Sequence, residues 1–147
     1  MTGWEVAFLV ANASVIPAWA LLVVAPDWRG TAWVHTVFPF ALIGVAYLLV
    51  GFAGPGAEDA SFFTLQGVMA LFTRPHAVLA GWLHYLAFDL FVGAWEVRTA
   101  RREGIPHLLV LPCLVLTFLF GPIGLLAFLG LRLVYGRFAT IPAKGAA

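Results

Sequence analysis

Charge is what this chain lacks most. Of its 147 residues only 10% are charged, while 63% are hydrophobic. A soluble domain carries about a quarter charged residues. Here there is too little polar surface to cover a water-facing globule, and the mean hydropathy of +0.98 points to lipid as the solvent. The net charge of +1 leaves no electrostatic footprint for nucleic acid. One cysteine, Cys113, excludes an internal disulfide. A basic n-region is missing as well. The first charge is Glu5, so the N-terminal run reads as a mature span and not as a signal peptide. There is no Gly-rich phosphate loop, no CxxC pair and no GxSxG elbow. The four histidines, His35, His76, His84 and His107, form no HxxxH or HxxH pair, so no metal site is expected.

What is present is apolar length. Four segments, at about 4–25, 32–53, 76–97 and 106–135, can each cross a hydrocarbon core that needs ~20 helical residues. Between the second and third lies the loop Gly54–Ala60. Phe62–Phe72 follows, too short to span, and reads as an interfacial helix. The expected fold is an all-α membrane protein. It is a single domain of four transmembrane helices plus one short interfacial helix, integral to the membrane and multi-pass. Gly121-Pro122 in the fourth segment predicts a kink. Four crossings would place Arg29, Arg98, Arg101 and Arg102 on one side and Arg74, Arg137 and Lys144 on the other, a weak bias of orientation.

The third segment carries the chemistry. Ionisable groups in hydrocarbon survive when paired, hydrated or used. Trp82, Asp89 and Glu96 are seven apart and share a face, and Tyr85 joins them one turn before Asp89. His84 is five before Asp89, about 140° around the helix, so the two can meet only across a cavity between helices. Asp89 lies near mid-span and reads as a proton donor or acceptor, or as a structural carboxyl bonded to a neighbouring helix. Glu96 is expected near the membrane edge with Arg98 or Arg102 in reach. Glu5, Asn12 and Trp19 make a matching stripe on the first segment. That stripe predicts that the first and third helices face each other, with Asp89 near Asn12. The apolar, aromatic-rich surface suits a long hydrophobic ligand such as a polyene, a quinone or a lipid.

Trp82-x-His84-x-Leu86-Ala87-x-Asp89-Leu90-Phe91, then Cys113-Leu114 and Phe120-Gly121-Pro122-Ile123-Gly124, resembles the abscisic-acid-deficient-four-like family of small membrane proteins. Pro17, Pro26-x-Trp28 and Tyr47 fit its N-terminal half, so the similarity covers most of the chain. The resemblance implies four membrane helices and a carotenoid connection, since plant members are required to make neoxanthin from violaxanthin. It carries His84 and Asp89 across as matched positions. The family pattern has a basic residue three positions after Phe91. Here that residue is Ala94, which leaves Asp89 to Arg98 or to protonation.

The expected function is therefore cofactor-independent epoxide opening or isomerisation of a carotenoid-like polyene, with Asp89 as acid and His84 as base. Tyr85 and Asn12 would orient the oxygen, and Trp82 and Glu96 would line the substrate site. Two alternatives stand beside it. One is a non-catalytic carotenoid-binding or assembly subunit of an oligomer or larger pigment complex. The other is an iron carotenoid oxygenase using the histidines.

Overall fold

The computed structural model describes residues 1–139 of the chain, and Lys144 lies outside them. All regular structure among these residues is helical. Helix α1 (Gly3–Val24) starts at a capping box: Thr2 Oγ1 accepts from the Glu5 N–H, and Glu5 Oε2 accepts from the Thr2 N–H. Pro17 does not end it. The chain turns through Ala25–Trp28 into α2 (Arg29–Val37). It widens into a π-helical stretch, Phe38–Ile43, and continues as α3 (Gly44–Gly51). Residues 29–51 are thus one helical run of about 34 Å at 1.5 Å per residue. Helix α4 (Leu65–Leu71) is capped by Thr64, whose hydroxyl accepts from the Gly67 N–H. The helical part of the expected 62–72 segment is therefore shorter than predicted.

Helix α5 (Pro75–Arg102) opens with Pro75 in its first turn and runs 28 residues. It lies parallel to α1. Trp4 meets His76, Phe8 meets Trp82, and the Trp19 ring reaches Gly93. The predicted facing of the first and third segments holds. α1 and α5 are both long and apolar enough to cross a membrane. Large apolar side chains such as Leu9, Val10, Leu49, Leu108 and Leu126 point outward, while Val15, Leu22, Leu90, Val110, Leu114 and Phe128 fill the interior.

The fourth segment departs from expectation. In place of one kinked helix over 106–135, the chain makes α6 (His107–Phe120), reverses at Gly121, and returns as α7 (Pro122–Ala139). Tyr135 near the far end of α7 donates its hydroxyl to the Gly104 carbonyl at 2.9 Å, just before α6 begins. A merely bent helix would put those residues about 40 Å apart. Three features make the reversal. Gly121 takes φ +47°, which L side chains avoid. Pro122 begins a new helix. Gly124 lets α7 close on α6, because a Cβ there would collide with the backbone and side chain of Thr117.

The hairpin is only half as deep as α5. Its tip, Gly121, lies against Asp89, in the middle of α5, and its open end lies beside Arg101–Glu103. Arg29, Arg98, Arg101, Arg102 and Arg132 therefore gather at one end of the bundle, with Arg74 at the other. Arg101 pairs with the exposed Asp27 there, and Arg132 Nε donates to Glu103 Oε2 at 2.8 Å. That hydrogen bond holds the Glu103 carboxyl below its ordinary range. The stabilisation is present above the usual glutamate range and fades as pH falls through the lowered value.

Gly124→Ala should destabilise the protein by ~1–3 kcal/mol, because the α6 backbone must shift. Gly130→Ala, on the same helix and facing open space, should be neutral or stabilising by up to ~1 kcal/mol. Thermal unfolding of the two variants in detergent compares them directly, and equal midpoints would contradict the close α6–α7 contact.

Candidate functional site

The polar groups of α5 fall into two separate environments, set by the 100° turn per residue. One face meets α3. Here Ile43, Gly44, Tyr47, Leu83, His84, Ala87, Phe88 and Phe91 line a cavity of about 370 Å³. The His84 ring stacks on Phe88 at 4.4 Å between centroids and faces Tyr47 at 6.0 Å. A second hollow of about 570 Å³ shares Tyr47 and His84 and runs on past Gly51, Ala77 and Gly81 to Phe62 and Phe72, which flank α4. From Ala77 to Phe91 the track follows about 21 Å of α5. His84 and Tyr47 are the two residues with polar side-chain atoms along it among the described residues.

The other face meets α1, α6 and the hairpin turn. Trp82 Nε1 donates to Asn12 Oδ1 at 3.2 Å, and the Trp82 ring lies 5.1 Å from that of Tyr85. Tyr85 lies beside the Asp89 carboxyl and donates its hydroxyl to the Phe118 carbonyl at 3.3 Å. A Cβ at position 121 would stand 2.9 Å from Asp89 Oδ1, so the glycine is needed for space as well as for φ. One helical turn back along α6 from the tip, Thr117 Oγ1 donates to Glu96 Oε1 at 2.9 Å. Asp89 Oδ2 and Glu96 Oε2 are both enclosed and have no hydrogen-bond partner among the described residues.

Several expectations are corrected by this arrangement. His84 and Asp89 do not converge as base and acid, because they face α3 and the hairpin turn respectively. His84 is exposed along its groove and is not enclosed between helices. Asp89 meets Gly121, whereas Asn12 bonds Trp82, two turns nearer the start of α5. Glu96 is fully buried against Thr117, not paired with an arginine at the edge. The reason is length: α5 runs on to Arg102, so Glu96 lies deeper than a helix ending at Val97 would place it. Trp82, Tyr85 and Asp89 do share one face of α5, as their spacing indicates, and Asn12 of α1 meets that face at Trp82. Glu5 is used in the α1 capping box.

Sequence reasoning missed Tyr47 and Thr117 as site-forming residues. No spacing rule ties either to α5. The other histidines are accounted for separately. His35 is buried, with Nδ1 2.5 Å from the Thr31 carbonyl and Nε2 2.9 Å from that of Ala18. His76 is buried against Gly54, and His107 Nε2 donates to the Val23 carbonyl at 3.0 Å. No three His, Cys, Asp or Glu side chains among the described residues come together in a way that could hold a metal ion. The iron-oxygenase alternative therefore has no ligand set there.

Thr117→Val keeps the shape but leaves Glu96 Oε1 without its donor, and should cost ~1–3 kcal/mol. Asp27→Ala removes only an exposed ion pair and should cost no more than ~1 kcal/mol. Unfolding midpoints in detergent check the order, and a larger loss for Asp27→Ala would contradict it.

Comparison with known proteins agrees with the sequence resemblance. No solved structure matches the chain. The protein named "ABA DEFICIENT 4, chloroplastic", from Arabidopsis thaliana, is 25% identical over 130 residues, covering 82% of this chain and 57% of that protein. The chain thus spans little more than half the length of that curated relative. The model of the family described as ABA DEFICIENT 4-like matches residues 6–128, a stretch that includes α5, the α3 groove and the hairpin turn, and the chain belongs to that family.

Proposed function

We propose that this chain is a multi-pass membrane protein that binds a carotenoid along the α3–α5 groove and isomerises an oxygenated end of it without a cofactor. The observation that carries this reading is the groove itself. It is long, narrow and apolar, with one imidazole stacked in its wall beside one phenol. A rigid polyene gains from lying along such a track by losing contact with lipid and water alike. The family supports the substrate class, and the relative's name ties that protein to abscisic acid.

The chemistry can run through His84. Its imidazolium protonates an epoxide oxygen, and the carbon–oxygen bond breaks, leaving a hydroxyl and a carbocation. The now neutral imidazole removes a proton from the adjacent carbon, which forms the new double bond. One proton is given to oxygen and another is taken from carbon, so the product is an isomer and nothing is oxidised. Phe88 and Tyr47, whose rings adjoin His84, give the developing cation an aromatic surrounding that favours positive charge. Asp89 takes no part in this sequence, because it lies on the other side of α5. A second reading is a carotenoid-binding subunit of a pigment complex. It is favoured by the scarcity of polar groups in the groove.

In this proposal α1, the run 29–51 and α5 cross the bilayer, and α6–α7 enters from the basic end and stops at mid-depth. Single cysteines placed in a Cys113→Ser background test it. Cysteines replacing Asp27 and Val134 should label from the same side, and one replacing Glu58 from the other. Labelling of positions 27 and 134 from opposite sides would restore four full crossings.

The catalytic assignment is checked in carotenoid-producing cells expressing this chain. His84→Ala should lower product by ~10²-fold or more, the scale of general acid–base catalysis, while bound pigment is kept. His107→Ala, outside the groove, should leave product unchanged. Full product from a well-expressed His84→Ala protein would remove the catalytic role. Pigment bound by the wild-type chain and recovered unaltered would favour the binding-subunit reading.

A further inference from the structure

Helix α5 carries two carboxyls, Glu96 buried and Asp89 half-buried, that the proposed groove chemistry does not use. Glu96 is 0% exposed, and its Oε2 has no hydrogen-bond partner among the described residues. Seven residues earlier, Asp89 has an enclosed Oδ2 in the same condition, and its Oδ1 lies under Gly121. The groups around the pair can be taken element by element. α5 itself supplies Tyr85, which lies beside Asp89 and donates its hydroxyl to the Phe118 carbonyl, and the half-buried Arg98, two residues past Glu96, which makes no ion pair with either carboxyl among the described residues. α6 supplies Thr117, already donating to Glu96 Oε1, and the buried Cys113. α7 supplies Arg132, which is bound to Glu103 and lies over Trp95, toward the basic end. α1 presents the apolar Trp19 and Leu22 to Gly93, between the two carboxyls. On α2, both ring nitrogens of His35 are on carbonyls, and on α3 Tyr47 faces His84. None of these brings a cation to either carboxyl.

Two carboxyls that each have an enclosed, unbonded oxygen and no counter-ion cannot both remain charged, since the neutral hydroxyls beside them, Tyr85 and Thr117, do not replace the water lost. A metal cation would need several oxygen ligands around it, and these neighbours do not provide them. A proton needs only one oxygen, and a free one is present on each group. We propose that the Asp89–Glu96 pair beneath the α6–α7 turn is a proton-binding site, holding at least one proton at neutral pH and exchanging it with the medium. Thr117 fits this role. By donating to Oε1 it marks Oε2 as the oxygen that carries the proton when Glu96 is neutral. The half-depth hairpin shapes the site, because its turn covers the pair from α6 while its open end reaches the basic face. The proposal does not depend on the polyene reading, and its readout does not involve pigment.

The test is infrared difference spectroscopy of the purified chain in phosphatidylcholine vesicles at neutral pH, in light and in heavy water. A protonated-carboxyl C=O band that shifts on deuteration is expected. Glu96→Gln should remove or diminish it, and Asp89→Asn should displace or weaken it. Should Glu96→Gln fail to fold, the wild-type spectra together with Asp89→Asn decide the matter. Absence of a protonated-carboxyl band in the folded wild-type protein would overturn the proposal. A band that never shifts in heavy water, or that is unaltered in both variants, would do the same. So would carboxylate signals that respond to exchange of sodium for potassium, which would identify a metal cation in the proton's place.

Discussion

In apolar surroundings a helix can stop halfway only if the turn that ends it leaves no backbone group bare. The α6–α7 reversal pairs the backbone groups of its central glycine within five residues. The Gly121 N–H donates to the Thr117 carbonyl at 2.9 Å, and the Gly121 carbonyl accepts from Gly124 and Leu125 at 3.0 and 3.2 Å. Pro122 has no N–H to satisfy. The same residues that close the backbone also set the distances around it. Gly121 lets the turn approach Asp89, and Gly124 lets α7 approach Thr117, which then reaches Glu96. The depth of the hairpin, the enclosure of Asp89 Oδ2 and Glu96, and the placing of Arg132 beside the other arginines all follow from this turn.

Helix α5 serves two unrelated environments because its polar residues do not share one face. His84 projects toward α3, into a groove of rings and aliphatic chains, while Trp82, Tyr85, Asp89 and Glu96 project toward α1 and α6. The separation has a chemical use in the proposed function. A polyene cation next to an anionic carboxylate would collapse onto it, whereas the aromatic walls about His84 stabilise the charge without a nucleophile. The carboxyls are kept where α6 encloses them. Small residues on α5 permit this, since Gly93 admits the Trp19 ring and Ala94 and Ala100 are buried at the helix–helix contacts.

Much of this was legible in the sequence because it rests on periodicity. The heptad Trp82–Asp89–Glu96 does lie on one face, and Asn12 does bring α1 to α5. The 140° between His84 and Asp89 already argued against a direct bond, and the structure extends that to different neighbours. The hairpin was not legible from Gly121-Pro122, since a glycine–proline step bends or reverses a helix according to the space around it. That space is set by Gly124 against Thr117, a tertiary contact with no sequence period. The burial of Glu96 was hidden for a related reason. Arg98, Arg101 and Arg102 read as the end of a span, but α5 continues through them, so a mark of the membrane edge was taken one turn too early. The groove's Tyr47 lies beyond a π-helical stretch, where the 3.6-residue phase that relates helix faces is lost.

The reversal also changes what the charges say. With four crossings the basic residues divide almost evenly between the two sides, and orientation is only weakly favoured. With α7 returning beside α6, Arg132 joins Arg29, Arg98, Arg101 and Arg102, and among the described side chains only Arg74 is left at the opposite end. In the proposed three-crossing arrangement, that asymmetry is what the positive-inside rule requires of short connecting loops. Arg101 also ties the α1–α2 turn through Asp27 and the Pro26 carbonyl, and Arg132 ties the mouth of the hairpin through Glu103. Orientation and closure of the basic end thus draw on the same arginines. A chain so poor in charge places most of its described arginines where two of its connections meet.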